Sequence, residues 1–79
     1  LNFITTEKGF KLSKKITNNI KKLRFEAGEM SQQTLAEKVG VTRQTIIAIE
    51  KDRYSPSLEV AFKISNEFGI PLEAVFNYN

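Results

Sequence analysis

The stretch "QQTLAEKVGVTRQTIIAIEKDR", residues 32–53, decides the fold of this 79-residue chain. Two segments of helical character meet in it at the tripeptide Gly-Val-Thr. Counted from Gln32, positions four, eight, ten, fifteen and eighteen are apolar, position five is small and position nine is glycine. A helix-turn-helix has these requirements, because its two helices cross closely and the first ends abruptly. The residues that meet them are Leu35, Ala36, Val39, Gly40, Val41, Ile46 and Ile49.

The steric part of this prediction depends on the small residue Ala36 and on Gly40. We expect Ala36 where the two helices cross, since a longer side chain would push them apart. Gly40 is expected to adopt the left-handed conformation that ends a helix, and Val41 to be buried in the corner. An ordinary hairpin of two helices is the alternative. It explains neither the short turn nor the agreement of seven positions within one short window.

Apolar residues at helical spacing predict a further helix before this pair and two after it. The first helix is predicted from Ser13, a candidate N-cap, to Ala27, with Ile16, Ile20 and Leu23 on one side. Residues 1–12 have no helical period and contain a Lys-Gly turn signal. We therefore predict an extended or flexible arm over 1–12 and a single domain over 13–79.

Caps and stops delimit the other predicted helices. Ser31 and Thr42 are candidate N-caps of helices 2 and 3. Helix 4 is expected after Pro56 and ends at Gly69, and its apolar positions include Leu58, Ala61, Phe62, Ile64 and Phe68. Helix 5 is expected from Leu72 to about Tyr78, with Leu72, Val75 and Phe76 available to close the core. The predicted fold class is all-α with five helices.

Composition excludes several classes of function. The chain has no cysteine and no histidine, so disulfides, thiolate metal sites and histidine-based catalysis are excluded. Its longest apolar runs are far shorter than the roughly 18 residues of a membrane span, and the expected location is cytoplasmic. Residues 1–24 hold seven of the twelve basic residues and one acidic residue. This basic third suits an anionic partner, although a solvated helix surface explains it about as well.

The outward face of predicted helix 3 is suited to DNA. If Ile46 and Ile49 point inward, a rotation of 100° per residue turns Gln44 and Ala48 outward, with Arg43 beside them. Glutamine can pair with adenine and arginine with guanine in the major groove, and small apolar side chains can meet a thymine methyl group. The alternative is a solvated helix surface. The predicted base-facing residues are Gln32, Arg43, Gln44, Thr45, Ile47 and Ala48.

Contacts to the DNA backbone are expected from the helix ends. The free N–H groups at the start of helices 2 and 3 can meet phosphates, together with the side chains there. Cationic and hydroxyl groups beyond helix 3 can contact neighbouring phosphates. For Arg53, pairing with Glu50 or Asp52 is an equal alternative. The predicted phosphate contacts are Ser31, Thr42, Lys51, Arg53 and Tyr54.

From Ile16 to Phe76 the chain resembles the Cro and phage-repressor (Xre-like) helix-turn-helix family of bacterial and phage regulators. The matching phrases are "MSQ", "LAEKVGVT", "QTI", "IEK", "PSL" and "GIPLE". The resemblance implies a lambda-repressor-like domain of five short helices that acts as a dimer on paired half-sites. By position it assigns Gln32, Arg43, Gln44, Thr45 and Ala48 to base or phosphate contacts, and Thr42, Lys51 and Arg53 to phosphates.

Three residues depart from the family pattern. Asp52 stands where glycine or asparagine is usual, and it is expected either to adopt a left-handed conformation or to lengthen helix 3. Thr34 replaces the glutamate that often completes a capping box with Ser31. Ile47 replaces a small or polar residue and is expected to expose an apolar side chain to DNA or to a partner.

The sequence therefore predicts a regulator, most simply a repressor, that binds double-stranded DNA through helix 3, about residues 42–51. A homodimer is expected, with helix 5 (Phe76 and Tyr78) as the first candidate interface and the arm as the second. The alternative is a protein-interaction module of the antitoxin type. No cofactor, metal site or small-molecule ligand is indicated. Catalysis is not expected, because the carboxylates of Glu50, Asp52 and Glu59 have no histidine or cysteine partner.

Overall fold

The computed structural model describes residues 15–78, and these form five α-helices and one pair of short strands. In chain order the elements are β1 (Ile16–Asn18), α1 (Ile20–Glu26), α2 (Gln32–Val39), α3 (Arg43–Glu50), α4 (Leu58–Phe68), α5 (Leu72–Val75) and β2 (Phe76–Tyr78). The predicted five-helix fold is confirmed. The predicted arm over 1–12 and the proposed cap at Ser13 lie outside the described residues.

The beginning of the first helix was predicted too early. Helix α1 starts at Ile20, and Ile16 belongs to strand β1 instead. The strand pairs antiparallel with β2, so that Ile16 faces Tyr78 and Asn18 faces Phe76. Because the partner strand is some sixty residues away in sequence, helical spacing alone could not indicate this pairing.

The end of the last helix was predicted too late, since α5 stops at Val75 and the chain continues as β2. Asn19, which follows β1, accounts for the early stop. Its backbone N–H donates to the carbonyl of Val75 at 2.9 Å and its side-chain amide donates to the carbonyl of Ala74 at 3.2 Å. These bonds satisfy carbonyl groups that a longer helix would have used internally.

The core confirms the seven positions of the helix-turn-helix pattern. Five of them are at most 3% exposed, namely Leu35, Ala36, Val39, Ile46 and Ile49. Val41 packs against this cluster, and Gly40 ends α2 in the left-handed conformation with φ of 79°. Ile20, Ile64 and Val75 complete the core from the other helices. Ala36 is fully buried, as expected where α2 and α3 pack most closely.

Two large apolar residues of α4 lie outside this core. Leu58 is 66% exposed and Phe62 is 49% exposed, whereas Ala61 and Ile64 of the same helix are buried. The helix α4 therefore presents an apolar edge to its surroundings. No helix among the described residues has the length and apolar character needed to cross a membrane.

Candidate nucleic-acid interface

The start of α3 is held by its own side chains. The hydroxyl of Thr42 accepts a hydrogen bond from the backbone N–H of Thr45 at 3.2 Å, which confirms Thr42 as the N-cap. The hydroxyls of Thr42 and Thr45 are also 3.0 Å apart and share a hydrogen bond. One hydroxyl hydrogen of this pair is used between them, so the other is available to a phosphate oxygen.

The start of α2 is capped in the same way, and the cap determines which hydroxyl keeps a hydrogen to donate. The hydroxyl of Ser31 accepts from the N–H of Thr34 at 2.9 Å and donates to the Thr34 hydroxyl at 2.9 Å. The hydroxyl hydrogen of Ser31 is therefore already used, whereas the hydroxyl hydrogen of the exposed Thr34 remains available to donate. Ser31 was among the predicted phosphate contacts, whereas Thr34 was considered only as part of the cap. The signal was present, because Thr34 occupies the third position after the cap.

The outer face of α3 presents Arg43 and Gln44 to solvent. Both residues are exposed, and neither side chain forms a hydrogen bond or ion pair with another residue of the described part. Thr45, Ile47 and Ala48 are partly buried. Ile47 was expected to expose an apolar side chain, and it does so only in part, because its neighbours cover the rest of the side chain. The outer face of α3 is therefore polar at its N-terminal end, where Arg43 and Gln44 lie, and apolar in its middle, where Ile47 and Ala48 lie.

Gln32, predicted to face the bases, is turned toward the protein. It is partly buried, and its side-chain amide donates to the Glu50 carboxylate at 3.0 Å. The carbonyl oxygen of the same side chain remains free to accept, and one N–H remains free to donate. Gln32 is thus positioned by Glu50 at the junction of α2 and α3.

Glu50 is the centre of a network that the sequence analysis did not identify. Arg24 of α1 binds its carboxylate through two nitrogens, Nε at 2.6 Å and Nη2 at 3.1 Å. The same guanidinium donates from Nη1 to the carbonyl of Met30 at 2.8 Å. The side chains of Arg24 and Glu50 are only 12% and 8% exposed, respectively. Arg24 was counted among the basic residues that suit an anionic partner, but this pairing removes its charge from the surface.

The end of α3 is defined by Asp52, which adopts the left-handed conformation with φ of 59°. Of the two expectations for this residue, the left-handed one is confirmed. The N–H of Arg53 donates to the carbonyl of Ala48 and that of Asp52 to Ile49, the pattern of a Schellman motif. The side-chain amide of Asn18 donates to the carbonyl of Ile49 at 2.8 Å and to Asp52 at 3.1 Å. Strand β1 therefore stabilises the C-terminal end of α3.

The cationic residues beyond α3 are exposed and have no ion-pair partner within residues 15–78. Lys51 and Arg53 form no ion pair with other described residues, and Tyr54 is 52% exposed. The alternative that Arg53 pairs with Glu50 or Asp52 is wrong, because Arg24 and Asn18 occupy those carboxylates. Lys15, Lys21 and Lys22 are also exposed. No group of acidic side chains with the arrangement of a metal site occurs between residues 15 and 78.

Comparison with known proteins identifies relatives over most of the chain. An HTH-type transcriptional regulator of Methanocaldococcus jannaschii, MJ0272, is 57% identical over 49 residues, which is 62% of this chain and 74% of that protein. YgzD, an HTH-type transcriptional regulator of Bacillus subtilis, is 52% identical over 59 residues, covering 75% of this chain and 88% of YgzD. RstR, a cryptic phage CTXphi transcriptional repressor from Vibrio cholerae, is 34% identical over 71% of this chain and 50% of its own length.

A solved structure has the same fold. A protein from Bacteroides fragilis superimposes with a TM-score of 0.69 over 78% of this chain and 98% of its own, at 24% identity. The helix-turn-helix family matches residues 20–75, which include the whole of α1 to α5. The chain therefore belongs to the Cro/C1-type helix-turn-helix family of DNA-binding transcriptional regulators.

Proposed function

We propose that this regulator binds specific sequences of double-stranded DNA by inserting α3 into the major groove, and that it acts as a repressor. The supporting observation is the free outer face of α3, where Arg43 and Gln44 have no partner among the described residues. Regulators of this family bind DNA without catalysing a reaction, which agrees with the prediction that the chain is not an enzyme.

The proposal assigns each side chain at the interface either to a base contact or to a phosphate contact. Arg43 and Gln44 donate to base edges, and Ala48 permits close approach while Ile47 meets a thymine methyl group. The hydroxyls of Thr34 and of the Thr42–Thr45 pair donate to phosphates on the two sides of the groove. Lys51, Arg53 and Tyr54 contact the phosphates beyond the end of α3. Gln32, held by Glu50, bridges between the two helices and the DNA.

The basic N-terminal region has a supporting role. We assign residues 13–79 to the DNA-binding domain and residues 1–12 to an arm. The exposed Lys15, Lys21 and Lys22 place positive charge on the N-terminal part of the domain, and this charge attracts the DNA backbone without regard to sequence.

A homodimer on two half-sites is part of the proposal. Two copies related by a twofold axis would place their α3 helices about 34 Å apart, one turn of B-DNA. Selection of bound sequences from a random DNA pool by the full chain tests this together with DNA specificity. We expect an inverted repeat with that spacing. Recovery of no preferred sequence would contradict specific DNA binding and favour the protein-interaction module.

Substitutions separate base contacts from backbone contacts. We expect Arg43→Ala or Gln44→Ala to weaken binding to the selected site by about 1–3 kcal/mol and to relax the preference at one base position. Lys51→Ala should weaken all sequences alike, because a phosphate contact carries no sequence information. Fluorescence anisotropy titrations on the selected site and on variants of it measure both effects. Unchanged affinity in all three variants would show that α3 is not the DNA-binding helix.

The sign of regulation is proposed from the phage repressor RstR, a relative named for repression. The test places the selected site across the start of a reporter gene. We expect expression to fall when the chain is produced, and to recover with Arg43→Ala. A rise in expression would assign the opposite sign.

A further inference from the structure

An apolar groove lies on the side of the domain formed by the two strands and the beginnings of α4 and α5. Its volume is about 470 Å³, and no residue of α2 or α3 lines it. Glu73 is the single charged residue that lines it within the described part. The larger apolar residues of the lining are Ile16, Pro56, Leu58, Leu72, Phe76 and Tyr78.

Three of these apolar side chains remain exposed to solvent. Leu58 is 66% exposed, Tyr78 is 68% exposed and Ile16 is 37% exposed. Together they expose on the order of 300 Å², given that one large aromatic side chain buries about 150–250 Å². A stable subunit interface usually takes about 800 Å² from each partner. The groove is therefore too small for a whole subunit, and its size suits one short segment of chain.

The segment that leads directly into the groove belongs to this chain. Ile16 is the first residue of β1 and also lines the groove. An extended chain spans at most about 3.5 Å per residue, so Leu12 lies within about 14 Å of Ile16 and Phe10 within about 21 Å. A segment tethered over so short a distance has an effective concentration in the millimolar range. A small apolar contact is then sufficient to hold it, because no free partner has to be captured.

The sequence before β1 has the pattern that the groove requires. Its even-numbered positions read Lys8, Phe10, Leu12, Lys14 and Ile16. In an extended segment alternate side chains point to the same side, which brings Phe10 and Leu12 to the side of Ile16. The intervening positions 9, 11 and 13 are glycine, lysine and serine, which suit the side that faces solvent.

Charge favours this segment over a second copy and over DNA. Glu73 is exposed, and it forms no ion pair with another residue between 15 and 78. Lys8 and Lys14 flank the two apolar residues, and either can bring a positive charge to this carboxylate. A second copy would bring the same glutamate, and a negative groove does not attract a phosphate backbone.

We propose that residues 8–14 of the same chain occupy this groove, with Phe10 and Leu12 packed between α4 and the β1–β2 pair and a lysine beside Glu73. The proposal goes beyond DNA binding and does not depend on it, because the groove and the outer face of α3 use different elements. It assigns a partner to the exposed Leu58 of α4.

Disulfide trapping in the full chain tests this occupant, since the chain has no cysteine of its own. The groove pair combines Leu12→Cys with Asn77→Cys, and Asn77 lines the groove. The control pair combines Leu12→Cys with Asn66→Cys, an exposed asparagine of α4 outside the groove. Equilibration with reduced and oxidised glutathione gives the effective concentration of each thiol pair. We expect the value for the groove pair to exceed that for the control pair at least tenfold.

Further substitutions in the groove pair separate docking from the tether. Phe10→Ser should lower the effective concentration at least tenfold, because the aromatic anchor is lost, whereas the tether alone would leave it unchanged. Glu73→Gln should lower it a few-fold at low salt, where a charge contact is least screened. Glu59→Gln removes the same charge from α4 outside the groove and should leave the value unchanged.

Equal effective concentrations for the groove pair and the control pair would overturn the proposal, and so would an undiminished value for Phe10→Ser. Equal effects of Glu73→Gln and Glu59→Gln would contradict the part assigned to Glu73. Disulfides formed mainly between two chains would assign the groove to a second copy instead. Circular dichroism verifies that each variant is folded. If the chain with Asn77→Cys fails to fold, Leu58→Cys takes its place with the same expected result.

Discussion

At the scale of single residues, Glu50 decides how the two helices of the motif are held. Its carboxylate binds the guanidinium of Arg24 and the side-chain amide of Gln32, and so connects α3 with α1 and with the first residue of α2. A partly desolvated carboxylate is stable only while its partners remain in place. The network therefore fixes the position of Gln32 and the orientation of α3 together.

Removal of this carboxylate should destabilise the fold. We expect Glu50→Ala to lower the free energy of unfolding by about 3 kcal/mol, because Arg24 would remain as an almost buried charge without its partner. Urea denaturation measures the change. The matched control is Glu59→Ala, which removes a carboxylate that is 77% exposed and paired with Lys63. That exposed pair should contribute less than about 1 kcal/mol. Equal effects of the two substitutions would contradict the structural role of Glu50.

The sequence did not indicate this pairing because its members lie far apart. Arg24 and Glu50 are 26 residues apart, and Arg24 stands at the end of a basic run. A run of like charges suggests a solvated surface, and only the contact of Arg24 with Glu50 in the folded chain shows that one member is turned inward. The role proposed for Thr34 depends on a local contact instead, because Ser31 has already donated its own hydrogen to the Thr34 hydroxyl.

At the scale of elements, α3 is limited at both ends by side chains rather than by its own propensity. Thr42 caps its beginning, while Asp52 and Asn18 close its end. Helices of eight residues have little stability of their own in water. The two caps and the buried Ile46 and Ile49 therefore determine that this segment is a rigid helix with a defined outer face.

The charge of Asp52 can be separated from its structural role. We expect Asp52→Asn to bind DNA a few-fold more tightly at low salt on every sequence, because a negative charge next to the phosphate contacts proposed at the end of α3 is removed. Asparagine tolerates the left-handed conformation, and its side-chain oxygen can still accept from Asn18. Stability should therefore change by less than about 0.5 kcal/mol.

Anisotropy titrations at low and high salt measure this effect. Glu59→Gln is the control, because it removes the same charge from α4, away from the motif. We expect its affinity for DNA to stay close to that of the unmodified chain. Weaker binding by Asp52→Asn would indicate that the carboxylate contributes to the interface in some other way.

At the scale of the whole molecule, positive charge and apolar surface are segregated. Among residues 15–78, Lys51 and Arg53 form no ion pair at the end of α3, whereas the apolar groove that Leu58 and Tyr78 line beside the strands has Glu73 as its single charged lining residue. Both surfaces depend on the same core, which joins α2 and α3 to α4 and α5.

Salt dependence tests the electrostatic part of this arrangement. The logarithm of the association constant should fall with the logarithm of salt concentration by about 0.9 for each phosphate neutralised. Lys51→Ala should reduce that slope by about 1 per bound copy. Lys63→Ala should leave it unchanged, because Lys63 pairs with Glu59 on α4 at 3.1 Å. An equal reduction in both variants would indicate non-specific attraction by the net charge.

Local chemistry determined most of the fold and part of the candidate interface. The spacing of apolar residues in 32–53, the threonine cap and the left-handed glycine are properties of neighbouring residues, so they predicted α2, α3 and the outward Arg43 and Gln44. Tertiary structure decided what depends on distant partners: the strand pair in place of the helix ends, the inward turn of Arg24 and Gln32, and the exposure of Leu58. Such contacts have no local signal, because their energy is realised only when segments remote in sequence meet.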